Sequence, residues 1–176
     1  MDKEQLGKEI YEISNVEGEF LLRSGITATE YFDKYLFESN PRVLKAIAEH
    51  LKDLLPPSFD KLAGLEMGGI PIATALSLVT EREVLFVRKE AKEYGTCKLA
   101  EGGDIAGKHL VIVEDVVTSG GAIIDAVNAL RARGAIVNQV LCVIDRECTA
   151  SENLKALGLQ LRPLFTKSEL EYVSGG

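Results

Sequence analysis

Histidine is nearly absent from this chain, with only His50 and His109 among 176 residues. His50 falls in an expected helix and His109 opens an expected strand. Neither stands at ligand spacing from another histidine or a cysteine, which argues against a structural zinc centre and against a hydrolase built on a histidine base. The three cysteines, Cys97, Cys142 and Cys148, are an odd number without paired spacing. They point to a reduced, cytoplasmic setting rather than a disulfide framework. No apolar run is long enough to cross a bilayer, and the opening MDKEQLGKEIYEI lacks the apolar core of a signal peptide, so no membrane partner is expected. Positive charge is in the minority, 20 Lys and Arg against 27 Asp and Glu, for a net charge of −7. Nucleic-acid surfaces need clustered positive charge, so no nucleic-acid partner is expected. The chain also lacks the G-x-x-x-x-G-K-S/T loop of nucleotide hydrolases and the G-x-G-x-x-G turn of dinucleotide-binding folds.

What is present fits one globular domain with a proper core, at 46% hydrophobic residues. Leu6, Ile10 and Ile13 predict a helix over residues 2–15. Strand-like pieces follow at Glu19–Leu22 and Thr29–Tyr35. Helical spacing at Val43, Leu44, Ile47, Ala48 and Leu51 ends before Pro56-Pro57. A strand is expected at Lys61–Leu65, a buried helix at Ile70–Val79 with Pro71 in its first turn, and a strand at Val84–Val87. A polar stretch runs from Arg88 to Lys108. The strand His109–Val113, the helix Ala122–Arg133 closed by Gly134, and the continuous apolar strand Val137–Ile144 complete the clear elements. Asn153–Leu157 and the C-terminal segment carry weaker signals. Alternating strands and helices predict an α/β fold with a central, mostly parallel sheet flanked by helices. Residues 1–176 are read as a single domain, with about 1–40 as a small hood and about 41–176 as the core.

The segment Val111–Ala122, VIVEDVVTSGGA, carries the most chemistry. It is an apolar strand ending in two carboxylates, then a turn rich in hydroxyls and glycine, then a helix. Open parallel sheets bind ligands beyond the carboxyl ends of their strands. Glu114 and Asp115 suit vicinal ribose hydroxyls. Thr118, Ser119, Gly120 and Gly121 suit a phosphate, because glycine permits close backbone approach and the helix that follows offers free N–H groups. An ordinary polar turn is the competing reading. The stretch closely resembles the 5-phosphoribosyl-1-pyrophosphate (PRPP) signature of type I phosphoribosyltransferases. The resemblance implies that Glu114 and Asp115 hold the ribose and that Val116, Val117 and the turn Thr118–Ala122 complete the PRPP site, the turn taking the 5-phosphate.

The second signal is Arg88–Thr96, RKEAKEYGT, opening a long polar loop directly after a strand. Loops of this length inside a compact domain are usually functional or disordered. Here cations gather beside an expected phosphate site. Displacing pyrophosphate from C1 of ribose creates an oxocarbenium-like centre. A closing loop excludes water and brings positive charge to the leaving group. R-K-x-x-K-x-Y-G-T resembles the catalytic loop of orotate phosphoribosyltransferases. That resemblance implies pyrophosphate contacts from Arg88, Lys89, Lys92 and Tyr94, with Lys92 the main catalytic cation beside Glu114 and Asp115. It also implies a homodimer in which loop residues reach the neighbouring subunit's site.

Three further stretches match the same family. Phe20–Gly25 with Tyr31-Phe32-Asp33 is similar to its N-terminal region, implying orotate contacts from Arg23, Tyr31 and Phe32. By themselves the two aromatics read as core more readily than as a binding surface. Gly64–Ala73 looks like its pyrophosphate loop, with Gly68 where some members carry lysine, which leaves backbone N–H groups as donors. Asp145-Arg146-Glu147 follows the last buried strand. Alone it reads as a strand-end salt bridge, but the resemblance makes Arg146, with Thr118, a partner for orotate. The family further implies Mg²⁺ held mainly through PRPP oxygens and water rather than directly by the protein. The implied activity joins orotate to PRPP, giving orotidine 5′-phosphate and pyrophosphate in pyrimidine (UMP) synthesis. Two rivals stand beside it. One is a type I transferase for a purine or another base. The other is a PRPP-sensing regulator without catalysis.

Overall fold

The computed structural model describes residues 1–21, 25, 27–91 and 98–175. Helix α1 (Lys3–Ser14) starts where the Asp2 carboxylate accepts the Gln5 N–H at 2.8 Å. Strands β1 (Asn15–Leu21) and β2 (Thr27–Phe32) pair antiparallel as a separate two-stranded sheet. The expected strand Thr29–Tyr35 is thus corrected at its far end. Asp33 accepts the Tyr35 N–H and caps a short helix, α2 (Lys34–Ser39). Helix α3 (Pro41–Lys52) follows, capped by Asn40 with Pro41 at its first position.

The core sheet contains β3 (Lys61–Leu65), β4 (Val84–Val87), β5 (Ala100–Glu101), β6 (His109–Val117), β7 (Ile136–Asp145) and β8 (Gln160–Thr166), in the spatial order β5-β4-β3-β6-β7-β8. All neighbours are parallel except the short edge strand β5, which is antiparallel to β4. Helices α4 (Gly69–Thr80), α5 (Gly121–Arg131), α6 (Ala150–Ala156) and α7 (Lys167–Val173) complete the chain. The mostly parallel α/β architecture is as the sequence predicts.

Strand alternation explains the two-sided burial. Val111 and Val113 of β6 face a core with α1, α3 and α4, through Leu6, Ile47 and Ile72. Leu110 and Ile112 face the opposite core with α5 and α6, through Val127, Leu130 and Leu154. Among the described residues no helix is long and apolar enough to cross a membrane.

One topological feature positions the site. From β3 the chain winds outward through α4 to β4. From β6 it winds the other way through α5, β7, α6 and β8. The strand order therefore reverses between β3 and β6, and a crevice opens at their carboxyl ends. The loops that fall there are Glu66–Gly68 and Thr118–Gly120.

Candidate functional site

Strand β6 does not stop at Val113. It continues to Val117, because β7 is long enough to pair with it through Cys142, Ile144 and Asp145. Glu114 and Asp115 are therefore strand residues rather than strand-end residues. Locally the ladder gives way to side chains. The Asp115 N–H donates to Glu114 Oε1 at 3.0 Å, and the Val116 N–H donates to Asp115 Oδ1 at 2.5 Å. Past the strand, Gly120 takes φ 80°, a left-handed turn that only glycine adopts without strain, and α5 begins at Gly121.

Asp115 is buried, and Lys34 Nζ lies 2.5 Å from its Oδ2. Lys34 and Glu38 are one turn apart on α2 and so share a helix face. Burial pushes Glu38 up to about 9, reinforced by its hydrogen bond to Asp115. Burial likewise pushes Glu114 up to about 8, with the neighbouring Asp115 charge adding to it. Burial acts on Asp115 in the same sense, but hydrogen bonds from Lys34, from the Val116 N–H and from the two protonated acids outweigh it, so Asp115 sits below the ordinary aspartate value. Lys34 is raised: burial opposes its charge, and the Asp115 contact more than compensates. The directions together favour a single negative charge in the cluster, on Asp115 beside Lys34, over a charge on all three acids. Sequence reasoning missed Lys34 and Glu38 altogether. The available signal was Asp33 as a helix cap.

Gly68 packs against this cluster. A Cβ at that position would sit 1.5 Å from Asp115 Oδ2 and 3.0 Å from Glu38 Oε1. The absence of a side chain at position 68 is what lets the Glu66–Gly68 loop close over Asp115. The neighbouring Gly69 is equally confined, its missing Cβ 2.3 Å from the Val113 carbonyl oxygen.

Three depressions border the segment Glu114–Ala122, the last of them through Val116 alone. One of about 190 Å³ is lined by Glu114 and the whole run from Val116 to Ile123, including Thr118, Ser119, Gly120, Gly121 and Ala122. A second, of about 590 Å³, lies between that segment and the Glu66 loop, with Arg88, Lys89 and Asp125 on its rim. Arg88 Nε is 3.5 Å from Glu101 Oε1, and the Lys89 N–H donates to Glu66. The third, of about 230 Å³, lies beyond Val116 and holds Phe32, Ile144, Arg146 and Lys167. Arg146 is set there by its N–H, which donates to the Val117 carbonyl at 2.9 Å.

The structure thus brings together Glu114, Asp115, Val116, Val117, the turn Thr118–Ala122, Arg88, Lys89, Phe32 and Arg146. Tyr31 does not line the Phe32 depression; it is half exposed and stacks at 5.4 Å on Phe20. Arg23, Lys92 and Tyr94 lie outside the described residues. A broader groove of about 810 Å³ between α1 and α3 is lined by charges of both signs, such as Lys8, Glu9, Arg42 and Glu49. It touches none of the motif residues, so volume alone does not mark the site here.

Comparison with known proteins agrees with this geometry. The phosphoribosyl transferase domain family matches residues 37–158. The orotate phosphoribosyltransferase of a Nocardioides species is 53% identical over 166 residues, covering 94% of this chain and 93% of that one. Among solved structures, Mycobacterium tuberculosis orotate phosphoribosyltransferase in complex with Fe(III) dicitrate superposes with a TM-score of 0.85 at 30% identity, covering 97% of this chain and 99% of that one. The same enzyme in complex with PRPP superposes with a TM-score of 0.81 at 27% identity and the same coverage. By sequence over nearly its full length, and by fold, the chain belongs to the orotate phosphoribosyltransferase family.

Proposed function

We propose that this chain transfers the 5-phosphoribosyl group of PRPP to orotate, releasing pyrophosphate and forming orotidine 5′-phosphate in de novo pyrimidine synthesis. The C1–O bond to pyrophosphate breaks, a bond from C1 to the ring nitrogen forms, and the proton that nitrogen carried passes to solvent. The observation that carries this reading is the segment Glu114–Ala122, which lines two depressions and borders a third through Val116. Three depressions suit a substrate with three parts. The 5-phosphate lies against Thr118–Ala122, where N–H groups and hydroxyls converge. The pyrophosphate lies toward Arg88 and Lys89. The base lies against Phe32, Thr118 and Arg146, and Arg23 and Tyr31 are the other residues assigned to it by the family resemblance. Glu114 and Asp115 hold the ribose.

Lys92 and Tyr94 complete the pyrophosphate side, Lys92 meeting charge as it develops on the leaving group. Mg²⁺ fits this site as a passenger on PRPP rather than as a resident of a protein cage. Of the acids proposed to hold the ribose, Asp115 is already engaged by Lys34, and burial disfavours charge on Glu114. A cation that keeps its waters and leans on phosphate oxygens is compatible with that arrangement. When bound, Mg²⁺ neutralises charge on the departing pyrophosphate. A cytoplasmic homodimer, with loop residues shared between subunits and residues 1–40 as a hood over the site, belongs to the same reading.

The test is pyrophosphate release from PRPP, measured with and without orotate. Release that depends on orotate supports the assignment, and release without it contradicts it. Lys92→Ala should lower kcat by about 10²-fold while changing PRPP affinity far less, the pattern of a contact made in the transition state. A Lys92→Ala enzyme with normal kcat removes Lys92 from the chemistry.

A further inference from the structure

The 230 Å³ depression contains a cation that neither its motif nor its strand accounts for. Lys167, the first residue of α7, lines it together with Arg146, Phe32 and Val116. Lys167 is brought there by a tether. Glu147, adjoining Arg146, adopts a left-handed φ of 56°. Its carboxylate accepts both the backbone N–H of Ser168 at 2.7 Å and the Ser168 hydroxyl at 2.5 Å. These bonds hold the Glu147 carboxyl below its usual range. The Glu147 N–H in turn donates to Asp145 Oδ1 at 2.9 Å. The loop carrying Arg146 and the start of α7 are therefore one hydrogen-bonded unit, and two positive side chains open onto one small space.

Within that space the charges are unequal. Lys167 has a partner, Glu171, at 3.3 Å, one turn along α7 and lining the same space. Both side chains are half exposed, and water and salt weaken an i,i+4 pair at that exposure, so a ligand carboxylate can displace Glu171 from Lys167. The rest of the lining includes Phe32 and Ile144, a flat apolar surface for a ring. The volume is below the roughly 300–1,000 Å³ of pockets for drug-sized ligands. It suits a single ring with an anionic substituent.

We propose that Lys167 is a specificity-determining residue, a second cation that holds the carboxylate of a single-ring base opposite Arg146. The proposal rests on the orotate reading above and deepens it. Two cations on one carboxylate also discriminate by difference: a base without that carboxylate leaves Lys167 to Glu171 and gives Arg146 no anion.

Steady-state kinetics of Lys167→Met and Lys167→Arg test this. Lys167 is half exposed, so neither variant disturbs the core, and melting temperatures should match the parent. Lys167→Met keeps the length and removes the charge. It should raise the KM for orotate about tenfold, the loss of one charge-assisted hydrogen bond. The KM for PRPP should stay within twofold, and Lys167→Arg should recover most of the orotate affinity. Three results overturn the proposal: an unchanged orotate KM in Lys167→Met, an equal rise in both KM values, or a Lys167→Arg enzyme as impaired as Lys167→Met. If the parent enzyme turns over no orotate, the functional reading itself fails, and that appears before any variant is made.

Discussion

Lys34 Nζ lies 2.5 Å from Asp115 Oδ2, in the corner left open by the missing side chain of Gly68. A helix of six residues thereby delivers the counter-charge to a carboxylate in the middle of the sheet. The pair fixes which of three neighbouring acids is ionised. Asp115 keeps its charge because Lys34 faces it, while Glu38 and Glu114 keep their protons because burial and the Asp115 charge both disfavour ionising them.

Removing the ammonium should therefore change a titration as well as a rate. In Lys34→Met, Asp115 loses its nearest positive charge and its carboxyl moves up. An opposite charge at this distance is worth about 1–3 pH units. If ionised Asp115 holds the ribose, the acidic limb of kcat/KM for PRPP moves up by that amount, and activity falls as pH drops through it. Lys34→Arg, which keeps the charge, should restore most of the parent profile. An unchanged acidic limb in Lys34→Met would show that Lys34 does not set the charge of Asp115.

The two acids of the motif should respond differently to amide substitution. Glu114 is pushed up to about 8, so glutamine resembles the form it already takes at neutral pH. Asp115→Asn, by contrast, removes the carboxylate that half-buried Lys34 faces and leaves that ammonium without its anion. We expect kcat/KM for PRPP to fall about 10²-fold or more in Asp115→Asn and only a few fold in Glu114→Gln. Equal losses would contradict the assigned protonation states.

Stability should fall as pH rises. Glu38 and Glu114 start from an ordinary value of 4.5 and are pushed up to about 9 and about 8 in the folded chain. Between those values the folded state binds more protons than the unfolded one, so unfolding becomes easier with every step upward in pH. Asp115, Glu83 and Glu147 shift downward and act only toward the acid side. Thermal melting between pH 5 and about 9 should show the decline, and Glu38→Gln should flatten it. A melting temperature that rises across this window in the parent protein contradicts the picture.

Position 68 offers a steric test. A methyl group there meets Asp115 Oδ2 at 1.5 Å, so the loop or the carboxylate must move. Gly68→Ala should destabilise by about 1–3 kcal/mol, the usual cost of overpacking. It should also weaken PRPP binding, read by calorimetry. Normal stability and affinity together would mean that the loop is not held where the structure has it.

Much of this was legible in the residues, and the parts that were not share a cause. Val137–Ile144 reads as a buried strand because Val140–Ile144 is an unbroken apolar run, and β7 is one. Glu114, Asp115 and the Thr118–Ala122 turn are contiguous, so local sequence suffices to find them. Helix α2 is too short to show a period, and the Thr, Tyr and Phe before it favour a strand. Its cap, Asp33, was the one available signal. Lys34 and Glu38 meet Asp115 only because α2 folds over β6, a long-range contact that no spacing encodes. Strand β8 is obscured by Arg162 and Pro163. Proline is tolerated there because β8 lies at the sheet edge. Lys167 was hidden with it, since its place beside Arg146 depends on the Glu147–Ser168 tether.

The most direct test of the account is the loss of orotate ultraviolet absorbance with purified protein, PRPP and Mg²⁺, with adenine, hypoxanthine and uracil assayed in parallel. Turnover of orotate alone is the predicted result. Turnover of another base in preference to orotate would keep the PRPP site and contradict the base site built from Phe32, Thr118 and Arg146. PRPP binding with no turnover of any base would contradict the transferase reading itself.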